Sequence, residues 1–132
     1  MEKRSYDKSL LMMGVLSVKG LPLLLKQRLE REFGPIAIIT ESIDFSFTDY
    51  YVPEMGDGIE RFFLAFERLV SPDDLARIKT LTNEIEDEWA EDGNRRINLD
   101  PGLISESNLI LATTKNRSHR IPIGLSLYGE VT

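Results

Sequence analysis

The stretch Leu10 to Val18 (LLMMGVLSV) is a continuous apolar run of strand length, the pattern of a central strand buried on both faces. It predicts the first strand of a sheet. Gly20-Leu21-Pro22 then opens a helix, with Pro22 in the first turn, where its missing N–H costs nothing. Leu21, Leu25, Leu29 and Phe33 recur every four residues with Leu24 beside them, forming one apolar stripe that Gly34-Pro35 ends. Ile36 to Thr40 reads as a second strand, and Ile43, Phe45 and Phe47 alternate with Ser42, Asp44 and Ser46 in the period of a half-buried strand. Phe62 to Val70 is a further strand, rich in aromatics.

Ser71-Pro72-Asp73-Asp74 has the logic of a helix start: a hydroxyl to cap amides, a first-turn proline, and carboxylates at the positive end of the dipole. Leu75, Ile78, Leu81, Ile85 and Trp89 continue that helix until Gly93. Arg96 to Leu99 is short and strand-like, Asp100-Pro101-Gly102 reads as a tight turn, Leu109 to Thr113 as a strand, and Ile121 to Thr132 as a final strand or hairpin. No repeat, low-complexity tract or linker divides residues 1–132, so one domain is expected. The order β-α-β-β-α-β-β predicts an α+β fold of ferredoxin-like type, a mainly antiparallel sheet with two amphipathic helices on one face.

Composition narrows the function. The 132 residues include no cysteine, which excludes disulfide scaffolds and thiolate zinc sites. Apolar runs fall well short of the roughly 20 residues a bilayer requires, and no signal-type cleavage pattern follows the first residues, so a cytoplasmic protein without a membrane partner is expected. With 16 basic against 22 acidic side chains the net charge is −6, which argues against a phosphate-tracking groove for nucleic acid. The charge is uneven, however. Residues 1–94 carry 11 basic and 19 acidic side chains, whereas residues 95–132 carry 5 and 3, leaving room for a local basic spot that holds a small anion.

Standard motifs are missing. Gly14 to Gly20 (GVLSVKG) lacks the second glycine followed by Lys and Ser/Thr of a phosphate loop. Thr114-Lys115-Asn116-Arg117 approaches a guanine-reading Thr-Lys-x-Asp element, but Arg117 stands where the base-reading carboxylate belongs. With one histidine, His119, any metal would rest mostly on oxygen ligands; no metal ligand or cofactor is assigned.

Two constellations carry potential chemistry. Asn98, Asp100, Lys115, His119, Arg120 and Glu130 fall within 33 residues, interspersed with strands. If they converge, Lys115 and Arg120 could hold an anion while His119 serves as acid or base, oriented by Asp100 or Glu130. The competing reading is structural: Asp100 belongs to a turn that Asn98 satisfies, and His119 and Arg120 decorate a loop. The second constellation, Tyr50, Tyr51 and Glu54 ahead of the Met55-Gly56-Asp57-Gly58 turn, could form a lid over a pocket or a core edge.

The strings EFGPI (32–36), FTDYYVPEMG (47–56), FERL (66–69), INLDPG (97–102), LATTK (111–115), HRI (119–121) and YGEVT (128–132) resemble, in order, the prokaryotic family known as domain of unknown function 4416. The resemblance implies no established reaction. Some members carry a GTP-binding label that the motifs above do not support. It marks Tyr50, Tyr51, Glu54, Asn98, Asp100, Lys115, His119, Arg120 and Glu130 as a shared polar set. Family chains continue past the Glu-Val-Thr segment, and Pro122 stands where the family tends to place an aromatic residue. A strand finishing at Thr132 would offer an open edge for pairing. Two functions follow: a domain binding a phosphorylated or carboxylated small molecule or nucleotide near Lys115, His119 and Arg120, or a non-enzymatic interaction module that self-associates through its terminal strand.

Overall fold

The uncharged run forms the first strand and lies in the sheet interior, paired on both edges along its length. The computed structural model describes residues 5–45 and 51–132. In chain order its elements are β1 (Leu10–Ser17), α1 (Leu23–Phe33), β2 (Ile36–Ile39), β3 (Ile43–Asp44), α2 (Val52–Met55), β4 (Glu60–Phe66), α3 (Leu75–Glu88), β5 (Ile97–Ile104), β6 (Leu109–Thr113), β7 (Ile121–Gly124) and β8 (Leu127–Val131). The sheet runs β2-β4-β1-β5-β6-β8-β7, with β3 also against β4, and each pairing is antiparallel. The fold is α+β.

Both long helices cover one face. Leu25, Leu29 and Phe33 of α1 and Leu75, Ile78 and Ile85 of α3 share a core with Leu11, Met13 and Val15 of β1, and with inward residues of β4 and β5. Arg28 joins the helices by pairing with Glu88 at 3.0 Å. On the opposite face the chain around α2 forms a smaller core, where Met55 and Ile59 pack on Leu16. Among the described residues no helix is long and apolar enough to cross a membrane.

The ferredoxin-like order does not describe the whole chain. β2, β4, β1 and β5 lie side by side with α1 and α3 as their crossovers, but β3 and α2 are inserted and the sheet continues through β6, β8 and β7. The described residues form three α-helices rather than two, and Pro72–Asp74 makes a 3-10 turn before α3, with the Ser71 hydroxyl bonded to Asp73 rather than capping the helix. Leu24 is exposed beside the buried stripe, because its neighbour Leu25 already faces the sheet. The alternating run after Ile43 yields only the two-residue β3; Phe47 lies outside the described residues.

Two expectations are corrected. Asp100-Pro101-Gly102 is not a turn but the middle of β5, where Asp100 pairs with Gly14 and Gly102 with Met12. The last strand, β8, is not an edge: β6 pairs with one side of it and β7 with the other, so the edge on that side of the sheet is β7.

Candidate functional site

A proline at the centre of an interior strand has no N–H to give a neighbour. β5 pairs with β1 from Ile97 to Ile104, but its ladder to β6 covers only Gly102 to Ile104. The backbone of Leu99 shows which edge Pro101 leaves open. The Leu99 N–H donates to Glu86 Oε2 at 2.7 Å, and its carbonyl accepts from Lys79 Nζ at 3.2 Å. Both are side chains of α3. Alternation along an antiparallel strand turns the nitrogen of Pro101 toward this same edge. Lys79 and Glu86 therefore satisfy the backbone where β6 would have paired, while Ala112 and Thr113 of β6 pair with β8.

The opening floors a cleft of about 480 Å³. Lys79, only 6% exposed, reaches into it from the helix side and also faces Asp100 Oδ1 at 3.6 Å. Nζ makes one direct hydrogen bond among the described residues, to Leu99, although an ammonium carries three donors. Burial holds the Glu86 carboxyl above its ordinary pKa, against the pull of the Leu99 N–H and of Lys79.

On one wall a chain of hydrogen bonds links α2 to β5. Arg95 brackets the Glu54 carboxylate at 2.9 to 3.1 Å, and its own backbone N–H donates to Glu54 Oε2 at 3.0 Å. Arg95 Nη1 donates to Asn98 Oδ1 at 2.7 Å, and Asn98 Nδ2 donates to Asp100 Oδ2 at 3.0 Å. The Arg95 guanidinium also lies 5.9 Å from the centre of the Tyr51 ring. Arg95 lowers the pKa of Glu54, and Glu54 raises that of Arg95.

The other wall comes from β6, β8 and the loop between β6 and β7. Glu130 accepts from Arg120 Nε at 3.3 Å and lies 2.5 Å from His119 Nε2. Arg120, and secondarily His119, hold its carboxyl below the ordinary range. Arg120 Nη1 donates to the Lys115 carbonyl at 3.0 Å, closing the loop. Among the described residues, Lys79, Arg95, Lys115 and Arg120 thus line the cleft with two carboxylates, Asp100 and Glu130. Counting Glu54 behind Arg95 and Glu86 on the Leu99 backbone, four cations meet four carboxylates, a local balance in a chain whose net charge is −6. Among the described residues no cluster of His, Asp and Glu is arranged to hold a metal ion.

A family model described as Domain of unknown function (DUF4416) matches residues 7–132. The chain belongs to the DUF4416 family. No curated protein and no solved structure matches it. Of the polar residues that the sequence singles out, Tyr51, Asn98, Asp100, Lys115, Arg120 and Glu130 line this one cleft. Glu54 stands behind Arg95, and His119 is more than half exposed outside the lining, bonded to Glu130. Tyr50 lies outside the described residues. Tyr51 has helical backbone angles at the start of α2.

Sequence reasoning missed Lys79, Glu86 and Arg95. For the first two a signal existed: Leu75, Lys79, Thr82 and Glu86 follow steps of four, three and four, which put two charges on the buried stripe of α3. Arg95 lies in an irregular segment between α3 and β5, where no periodicity marks it.

Proposed function

We propose that the cleft between β5 and β6 binds a small anion, a phosphorylated or carboxylated molecule. The observation that carries this reading is Lys79, a buried ammonium held in the floor of an open cleft that Lys115, Arg95 and Arg120 also line. Desolvated cations hydrogen-bond phosphate or carboxylate oxygens more strongly than exposed ones. Asp100 on the wall and the His119–Glu130 pair at the rim are the groups placed to move a proton should the ligand react.

Calorimetric titration with inorganic phosphate and with citrate tests the reading on wild type, Lys115→Ala and Arg120→Ala. Binding that weakens about tenfold in each variant, as removal of a single charge-assisted hydrogen bond requires, supports it. Undetectable binding by wild type, or binding indifferent to both substitutions, overturns it.

A second reading, an interaction module, is favoured by one observation: Ile38, Ile39 and Ile43 of the β2–β3 edge are exposed. Self-association would use that edge rather than β8, which is paired on both sides, or β7, which Pro122 blunts. Sedimentation equilibrium of wild type and Ile39→Lys distinguishes a dimer from a monomer.

A further inference from the structure

A second cavity, of about 180 Å³, opens beside the charged cleft and shares Tyr51, Asp100 and Leu111 with it. Its lining changes character: Met12, Gly14, Phe45, Phe63 and Arg61 replace the lysines. Gly14 contributes no side chain to it, and the cross-strand Phe63 ring lies against the place a Cβ would take, at 3.4 Å, with Asp100 at 3.9 Å. Phe63 points away from the helices and is partly exposed, an aromatic ring left open on a sheet face. The Arg61 guanidinium lies 5.3 Å from the Phe45 ring centre and 5.7 Å from that of Phe63. Its Nε is buried with no hydrogen-bond partner among the described residues, an uncommon state for a donor.

We propose that the ligand of the cleft is an anion that also carries a planar ring, its charged end at Lys79 and Lys115 and its ring in the second cavity beside Phe63 and Arg61. The proposal rests on the anion reading above and names the ligand class. An aliphatic tail would fill the same space, whereas a planar ring also stacks on Phe63 and faces the Arg61 guanidinium. The shared wall at Asp100 and Leu111 makes the two cavities one elongated site, charged at one end and apolar at the other.

Titration calorimetry with ribose 5-phosphate and adenosine 5′-monophosphate, on wild type and Gly14→Val, separates the two ends. The expected result is that wild type binds the ring-bearing compound at least about tenfold more tightly, a difference of roughly 1.4 kcal/mol. Gly14→Val, whose Cβ would lie 3.4 Å from Phe63 and 3.9 Å from the Asp100 side chain, should abolish that preference. Phe63→Leu, at a partly exposed position, should reduce the preference in the same way should the valine variant fold poorly. Equal affinity for the two compounds in wild type, or a preference that survives both substitutions, overturns the ring proposal while leaving the anion reading intact. Binding of neither compound overturns both.

Discussion

Lys79→Met tests the physical basis of the cleft. Methionine keeps the length and apolar packing of the lysine stem and removes the ammonium. The Leu99 carbonyl, on the edge of β5 that Pro101 leaves unpaired, then loses its donor. A hydrogen bond from a charged group is worth about 1.5–3 kcal/mol net, and an unsatisfied buried acceptor costs a similar amount. The ion pair to Asp100 adds little, because the Asp100 side chain is half exposed. The expected loss is therefore about 2 kcal/mol. With an unfolding entropy of about 2.1 cal/mol/K per residue over 132 residues, the melting temperature should fall by roughly 7 °C. Differential scanning calorimetry at neutral pH measures it. A fall below about 2 °C would refute the reasoning, since it would mean that Leu99 does not depend on α3 for its hydrogen bonds.

Three further outcomes follow from the same geometry. Burial raises the Glu86 pKa, so the folded state holds this proton where the unfolded chain has released it; stability from this group is full below the ordinary carboxylate pKa and declines as pH rises through the raised value. Glu86→Gln can still accept the Leu99 N–H, so urea unfolding should show its stability relative to wild type improving between about pH 4 and pH 8, and a pH-independent difference would contradict this. Gly102→Ala places a Cβ 2.6 Å from Leu111 Cδ2 and 3.1 Å from the Ile110 carbonyl, where β5 and β6 first pair, and should cost about 1–3 kcal/mol in the same assay. Leu125 and Ser126 make the β7–β8 turn with φ of 53° and 61°, so Asn-Gly in their place should raise stability by about 1 kcal/mol, and no gain would show the turn to be unstrained.

Much of the fold was legible because burial imposes period. Leu109 to Thr113 is a strand with the bounds its apolar run gives, and Leu25, Leu29 and Phe33 are buried as their spacing requires. The failure at Asp100-Pro101-Gly102 has a physical cause. Locally those residues have turn chemistry, but Pro101 is tolerated in an interior strand because the edge it faces is satisfied by α3 rather than by β6, an arrangement no local pattern encodes. The same feature hid the floor of the cleft. Asn98, Asp100, Lys115, Arg120 and Glu130 were visible as polar residues among strands, whereas Lys79 looked like one more charge on a helix. Its position on the buried stripe of α3 was the clue.

Whether an anion enters the opening between β5 and β6 is the question on which the function of this cleft turns. Titration of ¹⁵N-labelled protein with inorganic phosphate, followed by amide chemical shifts, locates the binding position. Saturable shifts concentrated at Leu99, Asp100, Thr113 to Lys115 and Arg120 are the predicted result. Saturable shifts clustered elsewhere on the surface, with those amides unmoved, would contradict it.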